Sequence, residues 1–326
     1  MRKTVDIFIP CDDLVQVEPI ASQFAKSTLL RSVCLLTPTE VEDAKWPTIV
    51  MEGSLTSSAT MCRLAEYAKG DYVLLITKST PLTLGAGALE RMVRVASDAS
   101  APMVYADHFD QKTIDGQVKV EKHPTIDSQI GSIRDDFDFG SLLLVRTVLL
   151  KEWASQVRDT NYIYAGLYDL RLFLSRKGEL VHLNELLYTE VEQDNRASGE
   201  KQFDYVNPAN REVQIEMERV ATAHLKEIGA QVETSTFRAV DFDEQEFDIE
   251  ASVIIPVFNR AKTIRDAVES ALSQKTSFPF NVIVVDNHST DNTSAILSKI
   301  LQQANKNNAE RLIVLNPERT DLGIGG

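Results

Sequence analysis

Cysteine is scarce in this sequence, and long apolar segments are missing. The three cysteines, Cys11, Cys34 and Cys62, lack metal-ligand spacing, and an odd, sparse set of this kind is typical of reduced thiols in an intracellular protein. No apolar run approaches the roughly 20 residues that a membrane-spanning helix needs, and no secretory signal precedes the first predicted strand. These absences predict a cytoplasmic protein without a transmembrane segment, and they leave peripheral membrane association open.

Basic residues are too few to balance the acidic ones. There are 34 lysines and arginines against 48 aspartates and glutamates, so the formal net charge is −14 and the isoelectric point is about 4.9. Because a phosphate backbone binds to a basic surface, this balance argues against nucleic acid as a partner. A single nucleotide remains compatible with it, since backbone N–H groups at a helix N-terminus can hold phosphate locally.

The sequence does contain an internal repeat. An apolar strand pattern with Ile9-Pro10 returns as Ile255-Pro256, at an offset of 246 residues. A second strand pattern follows each time, first over Val33–Thr37 and then over Val282–Asp286, at an offset of 249. Two offsets this similar predict two copies of one α/β unit.

Short apolar segments alternate with helical patterns in the first unit. This alternation predicts a mostly parallel sheet that helices cover on both faces. The predicted strands are Val5–Pro10, Val33–Thr37, Thr48–Met51, Tyr72–Ile76, Met103–Tyr105, Phe139–Val145 and Leu180–Leu183. The predicted helices are Val17–Ala25, Ser57–Ala68, Gly87–Ala99, Leu167–Arg176 and 207–229. Between two of the strands, Asp107–Asp136 is predicted to be a polar loop.

An acidic segment separates the two units. Six acids and no base lie between Asp241 and Glu250, a composition typical of a solvated linker. The sequence therefore predicts a first domain over residues 1–235, a linker over 236–250 and a second domain over 251–326. Since the second domain offers only three strand patterns, it is predicted to be an incomplete copy with a thin core.

Three short motifs follow one another in the second unit: Ile254–Asn259, Val284–Thr293 and Gly323–Gly326. Together they resemble the nucleotide-binding half of family 2 glycosyltransferases. These enzymes have the GT-A (nucleotide-diphospho-sugar transferase-like) fold, an α/β fold with a mostly parallel sheet flanked by helices. Ligands of open parallel sheets bind beyond the carboxyl ends of the strands, where Asn259 and Asp286 are predicted to lie.

The resemblance implies a nucleotide site in the second unit. In the family, the acid that matches Asp286 hydrogen-bonds the nucleobase, and the loop that matches Pro256–Asn259 lines the same pocket. The implied nucleotide-binding residues are Pro256, Val257, Phe258, Asn259, Asp286, Asn287 and Ser289. The alternative is that Asp286 only caps a turn. For Ser289 and Asp291, such a capping role is the favoured interpretation.

The first unit resembles the same family in its frame but departs from it at three sites. After the strand over 70–76, the family has an Asp-x-Asp motif that coordinates a divalent cation. This chain has hydroxyl and ammonium groups there: Thr77, Lys78 and Ser79. Gly166-Leu167 stands where the family has a Glu-Asp pair that includes the general base, and Thr37 follows the second strand in place of the nucleobase acid. The resemblance thus implies a degenerate first domain without metal ligands or a base.

Lys78 leaves a second interpretation of the first unit open. A fixed ammonium group can neutralise a diphosphate without a metal. Activity would then be metal-independent, lost in Lys78→Ala and intact in Asp286→Ala. The ordinary interpretation of such a residue is an exposed, solvated charge.

The remaining ionisable side chains give weaker patterns. Asp107, His108 and Asp110 are residue types that bind metals, but polar loops commonly contain them, so no metal site is predicted. Asp169 matches a structural acid of the family and is predicted to pair locally with an arginine. The other histidines are isolated in the sequence: His123, His182, His224 and His288.

As a whole, the resemblance implies transfer of a sugar, with inversion, from a nucleotide-sugar donor to a hydroxyl of a glycan or other acceptor. A carboxylate base would deprotonate the acceptor, while a divalent cation (Mn²⁺ or Mg²⁺) would stabilise the departing diphosphate. That cation is expected only for a complete second domain, so this chain alone is expected to bind nucleotide and to transfer no sugar. The alternative is a non-catalytic pseudoglycosyltransferase that binds a carbohydrate or a partner protein. Donor, acceptor and oligomeric state stay open.

Overall fold

The computed structural model describes residues 3–42, 44–114, 117–157, 160–191, 211–238, 247–306 and 311–318. The chain divides into two compact units, Met1–Glu233 and Thr234–Gly326. The predicted helix start at 207–208, most of the acidic linker and the closing Gly323–Gly326 lie outside the described residues. Within the described ranges, every helix is too short or too polar to cross a membrane.

The first unit alternates strands and helices along the chain. Its strands are β1 (Val5–Pro10), β2 (Leu30–Thr37), β3 (Thr48–Val50), β4 (Tyr72–Ile76), β5 (Leu82–Leu84), β6 (Met103–Ile114), β7 (Gln117–His123), β8 (Leu142–Arg146) and β9 (Leu180–Val191). Its helices are α1 (Leu14–Phe24), α2 (Ser58–Tyr67), α3 (Ala88–Asp98), α4 (Thr147–Val157), α5 (Gly166–Ser175) and α6 (Arg211–Glu227). The strands form one sheet in the order β3-β2-β1-β4-β8-β6-β9-β5, and β7 pairs with β6.

Parallel pairing defines one half of this sheet. Strands β2 and β4 both run parallel to β1, and β3 runs parallel to β2. Strand β8 runs antiparallel to both of its neighbours, β4 and β6, so β6 points the same way as β4. The carboxyl ends of β1, β2 and β4 therefore lie at one edge of the sheet, which β6 also reaches. This mixed α/β architecture is the predicted fold class.

Apolar side chains pack on both faces of the sheet. Phe24 and Met92, from α1 and α3, belong to the core on one face. Trp153, from α4, belongs to the core on the other face together with residues of α2 and α5. All six residues of β1 are buried, because both faces of the sheet are covered, and this explains why the strand is apolar apart from Asp6 instead of alternating between apolar and polar residues.

The prediction of a polar loop over Asp107–Asp136 is wrong in its first half. Strand β6 continues to Ile114 and pairs with β7 as an antiparallel hairpin. Six of the seven residues of β7 are exposed, so this strand has no buried apolar face, and the sequence lacks the apolar alternation that identifies a strand. The sequence patterns also miss helix α4.

The second unit has three parallel strands and two helices. They are β10 (Ala251–Val257), α7 (Ile264–Leu272), β11 (Phe280–Asp286), α8 (Thr293–Lys306) and β12 (Leu312–Leu315), and the sheet order is β10-β11-β12. Both helices contribute to a single core, with Val268 and Leu297 among its buried residues. Ile254 and Leu315 are exposed, so this sheet keeps apolar surface on strands β10 and β12.

The two units pair their first strands in the same register. In the first unit Pro10 lies opposite Leu36, and in the second Pro256 lies opposite Val285. These pairs have the same offsets as the sequence repeat, 246 and 249 residues. The shared register supports the hypothesis of two copies of one unit, which stays a prediction.

Candidate functional site

The predicted nucleotide residues of the second unit lie where two neighbouring parallel strands end. Val257, the last residue of β10, pairs with Asp286, the last residue of β11. The loops that follow these strands are joined, because the backbone N–H of Asn287 donates to the carbonyl of Val257 over 2.9 Å. The structure therefore brings the Pro256–Asn259 segment and the Asp286–Ser289 segment to one edge of the sheet.

Asp286 is held firmly in this edge. Its side chain accepts hydrogen bonds from the backbone N–H of Ser289, over 3.1 Å, and from the hydroxyl of Ser294. Burial opposes the charge of this carboxyl, but the hydrogen bonds from Ser289 and Ser294 hold its pKa below the usual value. Asp286 is therefore ionised at neutral pH, although only 1% of the residue is exposed to solvent.

Asn259 connects the two loops. Its backbone is in the left-handed region, with φ of 52°, a conformation that asparagine tolerates better than most residues. Its side-chain oxygen accepts from the backbone N–H of Thr290 over 2.7 Å, and its own N–H donates to the hydroxyl of Ser289 over 2.9 Å. Asn259 and Ser289 thus shape the loops in this structure.

Asp291 has the contacts of a local cap. It accepts from the backbone N–H of Thr293, the first residue of α8, over 2.9 Å, and from that of Ala261 over 3.1 Å. These bonds agree with the capping interpretation given to it from the sequence. Among the predicted nucleotide-binding residues, Pro256, Phe258 and Asn259 are exposed, and Phe258 keeps 45% of its surface in solvent.

The corresponding edge of the first unit has different chemistry. Thr37 ends β2 at the position that Asp286 occupies on β11, and its hydroxyl is buried without a hydrogen-bond partner within the described residues. Beyond β4, the backbone N–H of Thr77 donates to the carbonyl of Ser141 over 3.0 Å. Thr37 therefore offers no carboxylate to a nucleobase, and Thr77 offers none to a metal ion.

Lys78 is not a merely solvated charge. Its ammonium nitrogen lies 2.6 Å from Oε1 of Glu190, which is almost fully buried on β9. The other carboxylate oxygen of Glu190 accepts from the hydroxyl of Ser141. Lys78 is therefore committed to an ion pair, and a diphosphate would have to compete with Glu190 for it.

The structure shows an arginine acting on Asp169 only through its charge, since Arg176 opposes the pKa rise that burial causes in this carboxyl, and the hydrogen bond comes from a tryptophan. The indole N–H of Trp153 donates to Asp169 over 2.7 Å, and burial raises the pKa of this carboxyl. The nearby Arg171 donates instead to the carbonyl oxygens of Asp135 and Phe137. Tertiary packing against α4, which the sequence patterns miss, explains the difference.

Close packing explains the glycine at position 166, the first of the two positions that match the family's Glu-Asp pair. Helix α5 begins at Gly166 directly against the start of α2, where a Cβ would lie 2.6 Å from the carbonyl carbon of Ser57 and closer still to the backbone nitrogen of Ser58. The space at this position therefore excludes any side chain. In the preceding turn, Glu216 of α6 accepts from the backbone N–H groups of residues 163–165.

The histidines of the first unit are not isolated, in contrast to the sequence prediction. His182 lies 2.8 Å from both Asp107 and Asp127, and its ring stacks on Tyr105. Burial opposes protonation of His182, but its hydrogen bonds to the two carboxylates raise its pKa.

His123 and His224 also have partners. His123 lies 2.7 Å from both Asp110 and Asp138, and His224 lies 2.8 Å from Arg176. His108 and Asp110 are two residues apart, a spacing that puts two side chains on one face of a strand. The sequence carries this signal, but it is readable only if the segment is known to be a strand.

Comparison with known proteins identifies part of the chain. Residues 252–326 match the model of glycosyl transferase family 2. The matched segment lies in the second unit and includes the β10 and β11 edge. No curated protein sequence matches the chain.

Solved glycosyltransferase structures resemble the chain at low identity. Mannosyl-3-phosphoglycerate synthase from Rubrobacter xylanophilus is 11% identical, with a TM-score of 0.39 over 72% of this chain and 78% of that one. S. aureus TarS 1-349 in complex with UDP-GlcNAc is 13% identical, with a TM-score of 0.46 over 71% and 68%. Mannosyltransferase PcManGT from Pyrobaculum calidifontis, in complex with GDP-Man and Mn²⁺, is 10% identical, with a TM-score of 0.40 over 72% and 66%.

Proposed function

We propose that the second unit binds the nucleoside part of a sugar nucleotide at the carboxyl ends of β10 and β11. The protein would thereby serve inverting transfer of the sugar to an acceptor hydroxyl. The observation that carries this proposal is a buried carboxylate, Asp286, at the paired strand ends of the segment that matches family 2. Open parallel sheets bind their ligands at this kind of edge.

The residues around Asp286 fit a nucleobase. A carboxylate offers about four lone-pair sites, and the loop hydrogen bonds described above leave some of them available for the N–H groups of a base. Phe258, exposed on the neighbouring loop, presents an aromatic ring on which a planar base can stack. Because Asp286 is nearly closed to solvent, we expect the Asn287–Ser289 turn to shift when a base approaches.

Replacing Asp286 with alanine is expected to weaken nucleotide binding by about 10- to 100-fold, the effect of losing one hydrogen bond to a charged group. Calorimetric titration of the 326-residue chain with UDP, GDP, UDP-GlcNAc and GDP-mannose, each with and without Mn²⁺, measures the change. Asp266→Ala is the matched control, because Asp266 is an exposed acid on α7 of the same unit and its loss should leave affinity unchanged.

The outcomes separate the proposed functions. Equal affinity of the wild-type chain and Asp286→Ala would contradict the proposed site. If no nucleotide binds at all, the family 2 segment acts here as a non-catalytic module, and carbohydrate and protein partners become the candidates. If binding survives in Asp286→Ala but fails in Lys78→Ala, the site lies in the first unit instead.

We further propose that this chain alone transfers no sugar. The first unit has no carboxylate at 77–79 or at 166–167, so it lacks the acids that would hold a cation and deprotonate an acceptor there. Sugar transfer by the purified 326-residue chain would contradict this proposal.

A further inference from the structure

Three side chains of types that bind metals lie on the β6–β7 hairpin, in a segment whose sequence predicts a loop. His108 on β6 and His123 on β7 are directly opposite each other in the strand pairing, and their rings stack with centroids 4.3 Å apart. Asp110 lies two residues after His108 on β6, so both side chains leave the strand on the same face. Strand pairing therefore brings two imidazoles and a carboxylate together.

The ligand atoms of these three residues are close enough for one ion. Nε2 of His108 is 3.3 Å from Oδ1 of Asp110, and Nδ1 of His123 is 2.7 Å from Oδ2 of the same carboxylate. One ligand atom from each residue lies within 4.8 Å of the others. Metal–ligand distances of about 2.0 to 2.2 Å in a tetrahedral zinc site separate ligand atoms by about 3.3 to 3.6 Å, so only small side-chain shifts are needed.

His108 provides the independent indication of a ligand. The residue is 1% exposed, yet neither of its ring nitrogens makes a hydrogen bond to any residue that the structure describes. Buried polar atoms are normally paired, because leaving one unpaired costs free energy. Gly140 lies against Nδ1, where a Cβ would come within 3.4 Å, while Nε2 is the nitrogen nearest Asp110. A cation between them would satisfy Nε2.

An outer layer of hydrogen bonds orients the group. Nε2 of His123 lies 2.7 Å from Oδ2 of Asp138, and Asp138 also accepts from the backbone N–H of Gly140 over 2.8 Å. Metal-binding histidines typically donate their second ring N–H to a carboxylate in this way. A cation that displaces the proton between Nδ1 of His123 and Asp110 would leave the other ring proton on Nε2, held by Asp138.

The surrounding charges favour a cation. Asp110, Asp138 and Glu190 bring three carboxylates to this edge of the sheet, and Lys78 supplies one positive charge, paired with Glu190. Oε1 of Glu190 is also 3.6 Å from Nε2 of His108. If the ammonium group of Lys78 were absent, Glu190 would be free to act as a fourth ligand.

We propose that His108, Asp110 and His123 bind one divalent transition-metal ion, for which Zn²⁺ is the best match. Two imidazoles with one carboxylate suit Zn²⁺ and exclude strong binding of Mg²⁺, which prefers oxygen ligands and octahedral geometry. Asp138 positions His123, and Lys78 weakens the site by holding Glu190 away. This inference concerns the first unit and does not depend on the proposed nucleotide site.

Calorimetric titration of the purified 326-residue chain with ZnCl₂ tests the proposal. We expect one saturable site for Zn²⁺ and none of comparable affinity for Mg²⁺. His123→Ala should abolish the site, and Asp138→Asn should weaken it by about 10- to 100-fold, as is typical when an outer-layer carboxylate is lost. His288→Ala, which removes a histidine from the second unit, should leave Zn²⁺ affinity unchanged.

Lys78→Met tests whether the three residues bind a metal or only stabilise the hairpin, because stronger Zn²⁺ binding in this variant is expected only of a metal site. Because the substitution removes a positive charge and frees Glu190, it should strengthen Zn²⁺ binding by about tenfold. If circular dichroism shows that His123→Ala is misfolded, the near-isosteric variant Asp110→Asn takes its place. This variant should likewise lose Zn²⁺ binding. The proposal is overturned if the wild-type chain shows no saturable Zn²⁺ site, or if the ligand variants bind Zn²⁺ as tightly as the wild type.

Discussion

Replacing Asp6 with alanine is expected to lower the free energy of unfolding of the first unit by about 3 kcal/mol, the cost of leaving several buried donors unpaired. Asp6 lies in β1 and is fully buried. Its carboxylate accepts from the backbone N–H groups of Lys69 and Gly70, both over 2.6 Å, and from Ser32 and Arg31. The side chain of Arg31 is 36% exposed, so solvent reduces the contribution of the ion pair and the buried donors account for most of the cost.

Urea unfolding followed by tryptophan fluorescence measures this effect in the first unit alone. The chain has two tryptophans, Trp46 and Trp153, and both belong to that unit. Asp71→Ala is the matched control. Asp71 also pairs with a lysine, Lys3, but on the surface, where such pairs contribute less than about 1 kcal/mol. Equal unfolding midpoints for the two variants would contradict the assigned role of Asp6.

The same carboxylate gives the first unit a defined pH dependence. Burial opposes its charge, but the hydrogen bonds from Ser32, Gly70, Lys69 and Arg31 together hold the pKa of Asp6 below the unperturbed value of 3.8. A group with a depressed folded-state pKa stabilises the protein fully above its unfolded pKa. We therefore expect the stability difference between wild type and Asp6→Asn to be constant above about pH 5. It should shrink as the pH falls through the folded pKa.

Gly166→Ala is expected to destabilise the first unit by about 3 kcal/mol or more, or to prevent it from folding. The added methyl group would overlap backbone atoms of Ser57 and Ser58, and backbone cannot move aside as a flexible side chain can. The same fluorescence-detected urea unfolding measures the loss. Gly131→Ala is the control, because a Cβ at Gly131 meets no atom within 4 Å.

This contact also bears on the missing glutamate of the family's Glu-Asp pair, which matches position 166. If Gly166→Ala unfolds at the same urea concentration as Gly131→Ala, the close approach of α5 to α2 is not a constraint. If it is strongly destabilised, a glutamate cannot be restored at 166 without rebuilding the start of α2. The departure of the first unit from the family pattern would then be fixed by packing as well as by the loss of a carboxylate.

Several elements of the fold were predictable because their sequence signals are local. Strands β1 and β4 have the predicted bounds, Val5–Pro10 and Tyr72–Ile76, since each is apolar, apart from Asp6 in β1, and lies within a sheet that helices cover. The β6–β7 hairpin was not predictable in this way. Its two faces are largely exposed or polar, so apolar periodicity, the signal on which strand prediction rests, is absent there.

The sequence by itself determined the α/β class and the segment, residues 252–326, that matches family 2; the two copies of one unit stay a prediction. The class and the segment follow from apolar runs, turn residues and short motifs, all of which are encoded within about ten residues. Only the tertiary structure decided which polar groups meet: Lys78 with Glu190, Asp169 with Trp153, and His108 with Asp110 and His123. Most of these contacts join different elements of the first unit, and their formation depends on strand register and helix packing, which no local pattern specifies.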